Sequence, residues 1–386
     1  MYVVFFISIT RDGVNDEQYF THVEKIITLI YMISAHPEWS SYKEAPIRGN
    51  LFEKWWKSRF RFVDYPFLLV YRGFGNSQKC HLQGHVFQGM ALNKPKKKAS
   101  TWQNFIALLK MFLVKTVAKA KVEITVNGKY YHTQTNDQGF FDLEIEGHGL
   151  STGWHQISYE LKETLVDGQE RVNVKSEILI TEAFEHGLIS DIDDTFLVSH
   201  VTKKPKKLFT LLTKNANTRK PVEGVVKFYK ALSNGHSKSE NPFFYVSSSE
   251  WNLYEFLVNF NQIHELPKGV LLLKELKDSF LDFFKSGYGS HRHKVDKIER
   301  ILQLYPNQQF VLLGDNGQHD PQIYLEIAAA HPGQIKAVYI RGVKHNHWNE
   351  TEGTLSQIKA LEIPTKQFKH SRQAFDHAKE IGLIAT

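Results

Sequence analysis

The chain has 386 residues, 42% of them apolar and 23% charged, an ordinary balance for a soluble globular protein long enough for two domains. Its single cysteine, Cys80, excludes an internal disulfide. No stretch reaches the roughly 20 apolar residues of a membrane-spanning helix, and the opening MYVVFFISI lacks the basic region of a secretory signal. We therefore expect a soluble, cytoplasmic protein, and the net charge of +7 favours an acidic partner.

Residues 1–60 form the first predicted segment, a helical N-terminal extension. Apolar residues recur at mixed helical spacing over residues 17–34, and Trp55 and Trp56 stand in a basic stretch that is compatible with a helix. Two interpretations stay open: a helical preface to the next domain, or in part an overlong start.

Residues 64–183 are predicted to form an antiparallel β-sandwich. Short runs rich in β-branched and aromatic residues alternate apolar with polar positions, and turn residues such as Asn127-Gly128 separate them. The predicted strand segments are 66–75, 84–92, 120–135, 139–147 and 155–161. We see no catalytic constellation here, so the expected role is structural or interactional.

Residues 185–386 alternate strands with helices, which predicts a doubly wound parallel sheet. The predicted strands are 187–191, 242–249, 269–276, 309–315 and 335–343. The predicted helices are 221–232, 251–260, 293–305, 320–331 and a closing one at 371–384. The fold class is therefore an α/β domain preceded by a β domain.

Carboxylates cluster where the first of these strands ends. Asp191, Asp193 and Asp194 are followed by Thr195, at the carboxyl edge where open α/β sheets bind ligands. Two aspartates two residues apart suit phosphoryl transfer, because the first can attack phosphorus while the second handles the leaving-group proton. A bound cation would neutralise the charge.

Three further polar clusters follow in chain order. Ser247 and Ser248 end a strand before a helix and can hold a phosphate oxygen. Lys294 heads a helix and can offset negative charge, and Asp315 with Asp320 follows a strand in a loop suited to Mg²⁺. Taken singly, these are a helix cap, a solvated lysine and an acidic loop, but their order argues for one site.

This order resembles the four motifs of the haloacid dehalogenase superfamily of phosphohydrolases. More narrowly, it is similar to the catalytic domain of the actin-patch App1-type phosphatidate phosphatases over about residues 185–345, and more loosely upstream through YRGFG and GHVFQG. The stretches that carry the resemblance are DIDDT, NTRKPVEGVVKFYKAL, FFYVSSSEWNLY, HKVDKIERIL and GDNGQHDPQIY.

The resemblance implies a Mg²⁺-dependent phosphomonoester hydrolase with an aspartyl-phosphate intermediate, converting phosphatidate to diacylglycerol. Asp191 matches the nucleophile and Asp193 the general acid/base. The implied catalytic set is Asp191, Asp193, Ser247 and Lys294. The implied substrate-binding set is Thr195, Ser247, Ser248 and Lys294. The implied metal-binding set is Asp191, Asp193, Asp315 and Asp320.

Two positions depart from the pattern, since proline is expected where Glu250 stands and a small hydroxyl where Asn316 stands. Glu250 adds negative charge near an anionic substrate, which leaves another phosphomonoester, such as a sugar phosphate or a phosphoprotein, as an alternative. A second alternative is an interaction protein with a vestigial phosphatase domain, against which the intact carboxylates argue.

Partner expectations rest on charge and on spacing. A phosphorylated lipid is the expected substrate, and nucleic acid is not expected. The interval of about 44 residues between Ser249 and Lys294 leaves little chain for a cap, which favours an open site. The run Lys203–Lys207 precedes an apolar stretch and is compatible with peripheral contact with an anionic membrane. A solvated loop fits this run equally well. A solvated loop also fits the run Lys94–Lys98.

Overall fold

The computed structural model describes residues 65–89, 115–166, 169–192, 221–236, 240–274 and 290–385. The chain divides into two units, Met1–Phe62 and Val63–Thr386, and the described residues all belong to the second. The predicted extension over residues 1–60 and both lysine runs lie outside the described residues. Within the described ranges, no helix is both long and apolar enough to cross a membrane.

Nine strands of the described region form a first sheet, which we call the β-rich sheet. They are β1 (Tyr65–Val70), β2 (Gly73–Gly75), β3 (Lys79–Gly89), β4 (Lys115–Thr116), β5 (Lys121–Val126), β6 (Lys129–Gln134), β7 (Phe140–Glu146), β8 (Gly153–Leu161) and β9 (Asn173–Ile180). The main path runs β1-β3-β2-β9-β8-β5-β6, and β4 and β7 also pair with β3.

The β-rich sheet is mixed rather than wholly antiparallel, because β2 pairs in parallel with β9. The other described pairs in it are antiparallel. The turn between β5 and β6 is the predicted Asn127-Gly128, whose φ angles of 48° and 76° place both residues in the left-handed region. Asparagine and glycine are the residues that a tight hairpin turn of this kind favours. The sandwich itself stays a prediction.

The second sheet has six parallel strands in the order β12-β11-β10-β13-β14-β15. They are β10 (Gly187–Ser190), β11 (Phe243–Glu250), β12 (Val270–Lys274), β13 (Phe310–Asp315), β14 (Ile335–Arg341) and β15 (Thr365–Phe368). The strands β10 and β13 are buried along their whole length, as parallel strands covered on both faces must be. The first five were predicted, and β15 was not.

Helices cover both faces of the parallel sheet. They are α1 (Val225–Asn234), α2 (Tyr254–Ile263), α3 (Ser290–Leu304), α4 (Asp320–Ala330), α5 (Trp348–Lys359) and α6 (Ser371–Glu380). Leu188, on one face of β10, lies in a core cluster with α1, α2 and α6, whereas Ile189, on the other face, lies in a cluster with α3, α4 and α5. Period-two alternation of a strand's side chains produces this division.

The β-rich sheet contributes to both of these cores. Phe87 and Phe140 belong to the cluster around α1, α2 and α6, and Phe74 and Leu179 belong to the cluster around α3, α4 and α5. A third cluster is formed by residues of the β-rich sheet and of the segments that connect its strands. The two sheets of Val63–Thr386 therefore bury apolar side chains against each other.

Candidate active site

Two neighbouring strands bring the first two carboxylates to one edge of the parallel sheet. In the pairing of β10 with β13, Ser190 lies opposite Leu313, and the backbone N–H of Asp191 donates to the carbonyl of Leu313 at 2.8 Å. Asp315 is the last residue of β13. Because both strands run in the same direction, Asp191 and Asp315 meet at the carboxyl edge, as the sequence predicts.

Lys294 joins this pair from helix α3. Its ammonium group donates to Asp191 Oδ1 at 2.7 Å and also to Asp320 Oδ1. All three residues are buried, with 3% or less of each exposed. Burial by itself lowers the pKa of Lys294, but the negative charges of Asp191 and Asp320 outweigh it and hold this pKa above the usual value. Lys294 is therefore charged at neutral pH.

Asp320, the first residue of α4, connects the lysine to the loop after β13. Its Oδ2 accepts a hydrogen bond from the backbone N–H of Asp315 at 3.1 Å. Gly314 makes this approach possible, because a Cβ there would lie 2.6 Å from Asp320 Oδ2 and 2.8 Å from the ring of Tyr324. The sequence GDNGQHD thus needs its first glycine for space.

Three carboxylates are close enough to bind one metal ion. Asp191, Asp315 and Asp320 each offer an oxygen, and these oxygens lie within 4.8 Å of one another. With the ammonium of Lys294, the three carboxylates form a buried cluster in which negative charge is in excess. Hard oxygen donors and excess negative charge are what Mg²⁺ selects. The residues present fit a hard divalent cation.

Ser247 lies on β11, the strand on the other side of β10. Tyr245 is paired with Ser190, so Ser247 lies just beyond the end of β10, at the same edge as Asp191. Ser247 is buried, with 2% of its surface exposed. Ser248 also belongs to β11, but its side chain is not described, and the same holds for Glu250.

The structure therefore brings together Asp191, Lys294, Asp315 and Asp320, with Ser247 on the adjoining strand. Asp193 and Thr195, assigned as general acid/base and as substrate-binding residue, lie outside the described residues. Their roles stay predictions.

Asn316 has a role that its sequence position did not reveal. Its side-chain oxygen accepts hydrogen bonds from the backbone N–H groups of Val343 and Lys344 at 2.7 and 2.9 Å, and its amide donates to the carbonyl of Lys344 at 2.9 Å. These bonds tie the loop after β13 to the loop after β14. The asparagine at this position therefore comes with a local hydrogen-bond network.

Ser190 and Tyr229 were also missed by sequence reasoning. The hydroxyl of Ser190 donates to the carbonyl of Asp191 at 2.7 Å and is hydrogen-bonded to the hydroxyl of Tyr229 at 2.7 Å. Ser190 thus supports the backbone at Asp191, and Tyr229 supports the Ser190 hydroxyl. Tyr229 gives no sequence signal beyond its apolar position in a helix.

The geometry defines an α/β domain with an acidic site at the carboxyl edge of its sheet. Residues 186–342 match the family model described as "Phosphatidate phosphatase APP1, catalytic domain". The match confirms the App1-type resemblance that the motifs predicted and places it on these residues.

Two fungal proteins are similar to this part of the chain. The first, Phosphatidate phosphatase APP1 of Saccharomyces cerevisiae, is 34% identical over 155 residues, which are 40% of this chain and 25% of that protein. The second, an uncharacterized protein of Schizosaccharomyces pombe, is 27% identical over 217 residues, 55% of this chain and 34% of the other. The chain thus spans between a quarter and about a third of the length of these relatives.

The resemblance to one solved structure is distant. A carbohydrate acetylesterase from Xanthomonas citri aligns with 83% of this chain and 75% of its own, with 9% identity and a TM-score of 0.30. A similarity of that size does not bear on the fold or on the activity.

Proposed function

We propose that this protein is a Mg²⁺-dependent phosphatase of the haloacid dehalogenase type, which hydrolyses phosphatidate to diacylglycerol and phosphate. The observation that carries the proposal is the buried cluster of Lys294 with Asp191, Asp315 and Asp320 inside a segment similar to the App1 catalytic domain. The similarity supports a phosphatidate phosphatase-like hydrolase.

In the first step, a carboxylate oxygen of Asp191 attacks phosphorus, and the bond from phosphorus to the lipid oxygen breaks. Asp193 gives its proton to the leaving alkoxide, which departs as diacylglycerol. Asp193 then takes a proton from water, whose oxygen attacks the aspartyl phosphate. Phosphate leaves, and the Asp191 carboxylate is restored.

Lys294 has two tasks in this scheme. Its hydrogen bond to Asp191 Oδ1 fixes the orientation of the nucleophile, and its charge offsets the negative charge of the carboxylate and of the arriving phosphoryl group. Because Lys294 is also bonded to Asp320, the position of its ammonium group is determined from two sides.

Asp191, Asp315 and Asp320 would hold Mg²⁺, with the backbone carbonyl of Asp193 as a further ligand. The ion would stabilise the charge on the phosphoryl oxygens. The hydrogen bond from the Asp315 backbone N–H fixes the orientation of the Asp320 carboxylate. Asn316 holds the loop after β13 by accepting a hydrogen bond from the Val343 N–H in the loop after β14.

Ser247 is placed to bind a phosphoryl oxygen. It follows the buried part of β11 and precedes the helical segment that begins at Trp251, so a hydroxyl and backbone N–H groups are both present at this edge. Ser248 would add its own donors.

An open site supports a lipid substrate. The interval between Ser249 and Lys294 is about 44 residues and contains the helix Tyr254–Ile263 and the strand Val270–Lys274, and we take it as too short to hold a large cap domain as well. A bilayer-embedded headgroup can approach such an edge. We include in the proposal that the Lys203–Lys207 run contacts an anionic membrane.

The test is phosphate release from a panel of substrates by the full chain with Mg²⁺. The panel holds phosphatidate in mixed micelles, lysophosphatidate, glycerol 3-phosphate, a sugar phosphate and a phosphopeptide. We expect the highest kcat/KM with phosphatidate. A higher kcat/KM with a soluble phosphomonoester would reassign the substrate, and no release above that of Asp191→Asn with any substrate would overturn the phosphatase proposal.

A further inference from the structure

Strand β11 carries an irregularity at the serines of the proposed phosphate site. Its pairing with β12 matches Val246 with Leu272 but Glu250 with Lys274. Four steps along β11 thus correspond to two along β12, so the segment between them bulges out of the ladder. We call residues 247–249 the serine bulge. A bulge changes the direction in which its side chains point. This direction is the same in every molecule only when both ends of the bulge are held in place.

Trp251 lies directly after the bulge and is buried against the β-rich sheet. Its ring stacks on Phe87 of β3, with centroids 4.1 Å apart and planes 23° apart, and lies 5.5 Å from the ring of His85. His85 and Phe87 are themselves stacked at 5.2 Å. The indole therefore completes a triangle of three rings in mutual contact, two of which belong to the other sheet.

His85 can occupy this triangle of rings because it is neutral. Burial lowers its pKa to about 3, and its Nδ1 is hydrogen-bonded to the hydroxyl of Tyr71 at 2.7 Å. A neutral imidazole stacks without the cost of burying a charge. The hydrogen bond also fixes the plane of the ring on which Phe87 lies.

Tyr254, three residues further on, provides a second attachment. Its hydroxyl accepts a hydrogen bond from the backbone N–H of Arg72 at 2.7 Å, and its ring meets Tyr71 edge-on at 4.8 Å. The start of helix α2 is thus bonded to the segment between β1 and β2. Two side chains that follow the serine bulge are held by the β-rich sheet.

We propose that the β-rich sheet is a working part of the phosphate site, and that Trp251 and Tyr254 are positioning residues that hold the serine bulge through Phe87 and Arg72. Packing that locks a supporting residue keeps a binding group within the fraction of an ångström that recognition requires. The inference rests on the proposed function for the role of Ser247, and it gives the β-rich sheet a function beyond folding.

Kinetics of four variants test the inference. Trp251→Leu removes the stack, Phe87→Leu removes it from the opposite side, and Trp251→Phe keeps an aromatic ring. Phe74→Leu is the matched control, because Phe74 is a buried ring of the same sheet that meets Phe244, earlier on β11.

We expect Trp251→Leu and Phe87→Leu to raise KM, and the inhibition constant of inorganic phosphate, about tenfold while kcat changes less than about twofold, since phosphate binding is lost equally in ground and transition states. Trp251→Phe should recover most of this loss. Phe74→Leu should lower the melting temperature without moving KM. Unchanged KM and phosphate inhibition in a folded Trp251→Leu or Phe87→Leu variant would overturn the inference.

Hydrogen exchange of the same proteins separates this inference from the proposed function. Amides of residues 247–254 should exchange faster in Trp251→Leu and Phe87→Leu than in Phe74→Leu, whether or not the protein turns over substrate. Equal exchange in all three would refute the attachment. If the two variants exchange faster than Phe74→Leu but the wild-type protein releases no phosphate, only the phosphatase proposal is refuted.

Discussion

The ammonium group of Lys294 donates a hydrogen bond to Asp191 at 2.7 Å, although 103 positions separate the two residues in the chain. Both are buried, so the pair carries charges that would be costly to leave alone. With Asp315 and Asp320 beside it, the lysine partly compensates three carboxylates. The remaining negative charge is what a divalent cation would balance, and the behaviour of this cluster governs the first three predictions.

Lys294→Met should abolish most activity and destabilise the protein. The change leaves Asp191 and Asp320 buried without their cation, which costs about 3 kcal/mol of unfolding free energy, and removing such an electrostatic group lowers kcat by about 10² or more. Urea unfolding in EDTA and single-substrate kinetics measure the two effects. Arg292→Met, at an exposed cation of the same helix, should change neither. Wild-type kcat in Lys294→Met would exclude the assigned role.

Asp191→Asn should lose phosphate release by several orders of magnitude, because the covalent route disappears. Its melting temperature in EDTA should equal or exceed that of wild type, since one of three clustered negative charges is removed. Asp296→Asn, an exposed carboxylate on α3, serves as the control and should keep full activity. Turnover by folded Asp191→Asn within tenfold of wild type would rule out this nucleophile.

Removal of metal should silence the protein. Activity should vanish in excess EDTA and return with Mg²⁺, and Mg²⁺ should also raise the melting temperature, because an ion that binds only the folded state stabilises it. In Asp315→Ala both responses should weaken, since one of the three clustered oxygens is gone. Full activity in EDTA, with metal content shown to be negligible, would contradict the prediction.

Acid should destabilise the fold through two buried histidines. Burial lowers the pKa of His85 to about 3 and that of His186 to about 4, against 6.5 for the unfolded chain. Below pH 6.5 the unfolded state binds more protons, so the free energy of unfolding falls as pH decreases toward these folded values. Each histidine contributes up to about 1.4 kcal/mol per pH unit over that window.

Urea unfolding between pH 7 and pH 4.5 measures this dependence. His85→Phe keeps a ring in the stack with Phe87 but cannot titrate, so its unfolding free energy should decline less steeply with acid than that of wild type. His132→Gln, at an exposed histidine, is the control and should follow the wild-type slope. Identical slopes for His85→Phe and wild type would show that burial does not lower the pKa of His85 in the folded protein.

Membrane contact by the Lys203–Lys207 run should depend on salt. Each lysine near an anionic surface is worth about 1 kcal/mol, so changing all four lysines to Gln should strongly weaken sedimentation with phosphatidate vesicles at low salt, and raised salt should weaken wild-type binding too. Turnover on these vesicles should fall in parallel, while turnover on a soluble substrate should not. Equal binding by the two proteins at low salt would leave the run without a membrane role.

Sequence patterns were sufficient for much of the parallel-sheet region. The apolar runs before Asp191 and Asp315 predicted two buried strands, and the structure has them as β10 and β13. Three elements, two of them near the C-terminus, were missed by the sequence patterns. Helix α5 and strand β15, at Thr365–Phe368, and strand β9 in the β-rich sheet, were not predicted. The strand TKQF is half-buried and mostly polar, so it lacks the apolar run on which strand prediction depends.

By itself, the sequence determined which residues end each strand and therefore which carboxylates reach the edge of the sheet, because the period of apolar residues is a local property. Only the tertiary structure decided that Lys294 pairs with Asp191 and Asp320, that Asn316 ties two loops together and that Trp251 stacks on Phe87. These contacts join residues far apart in the chain, and their partners are chosen by how whole elements pack, which no local pattern encodes.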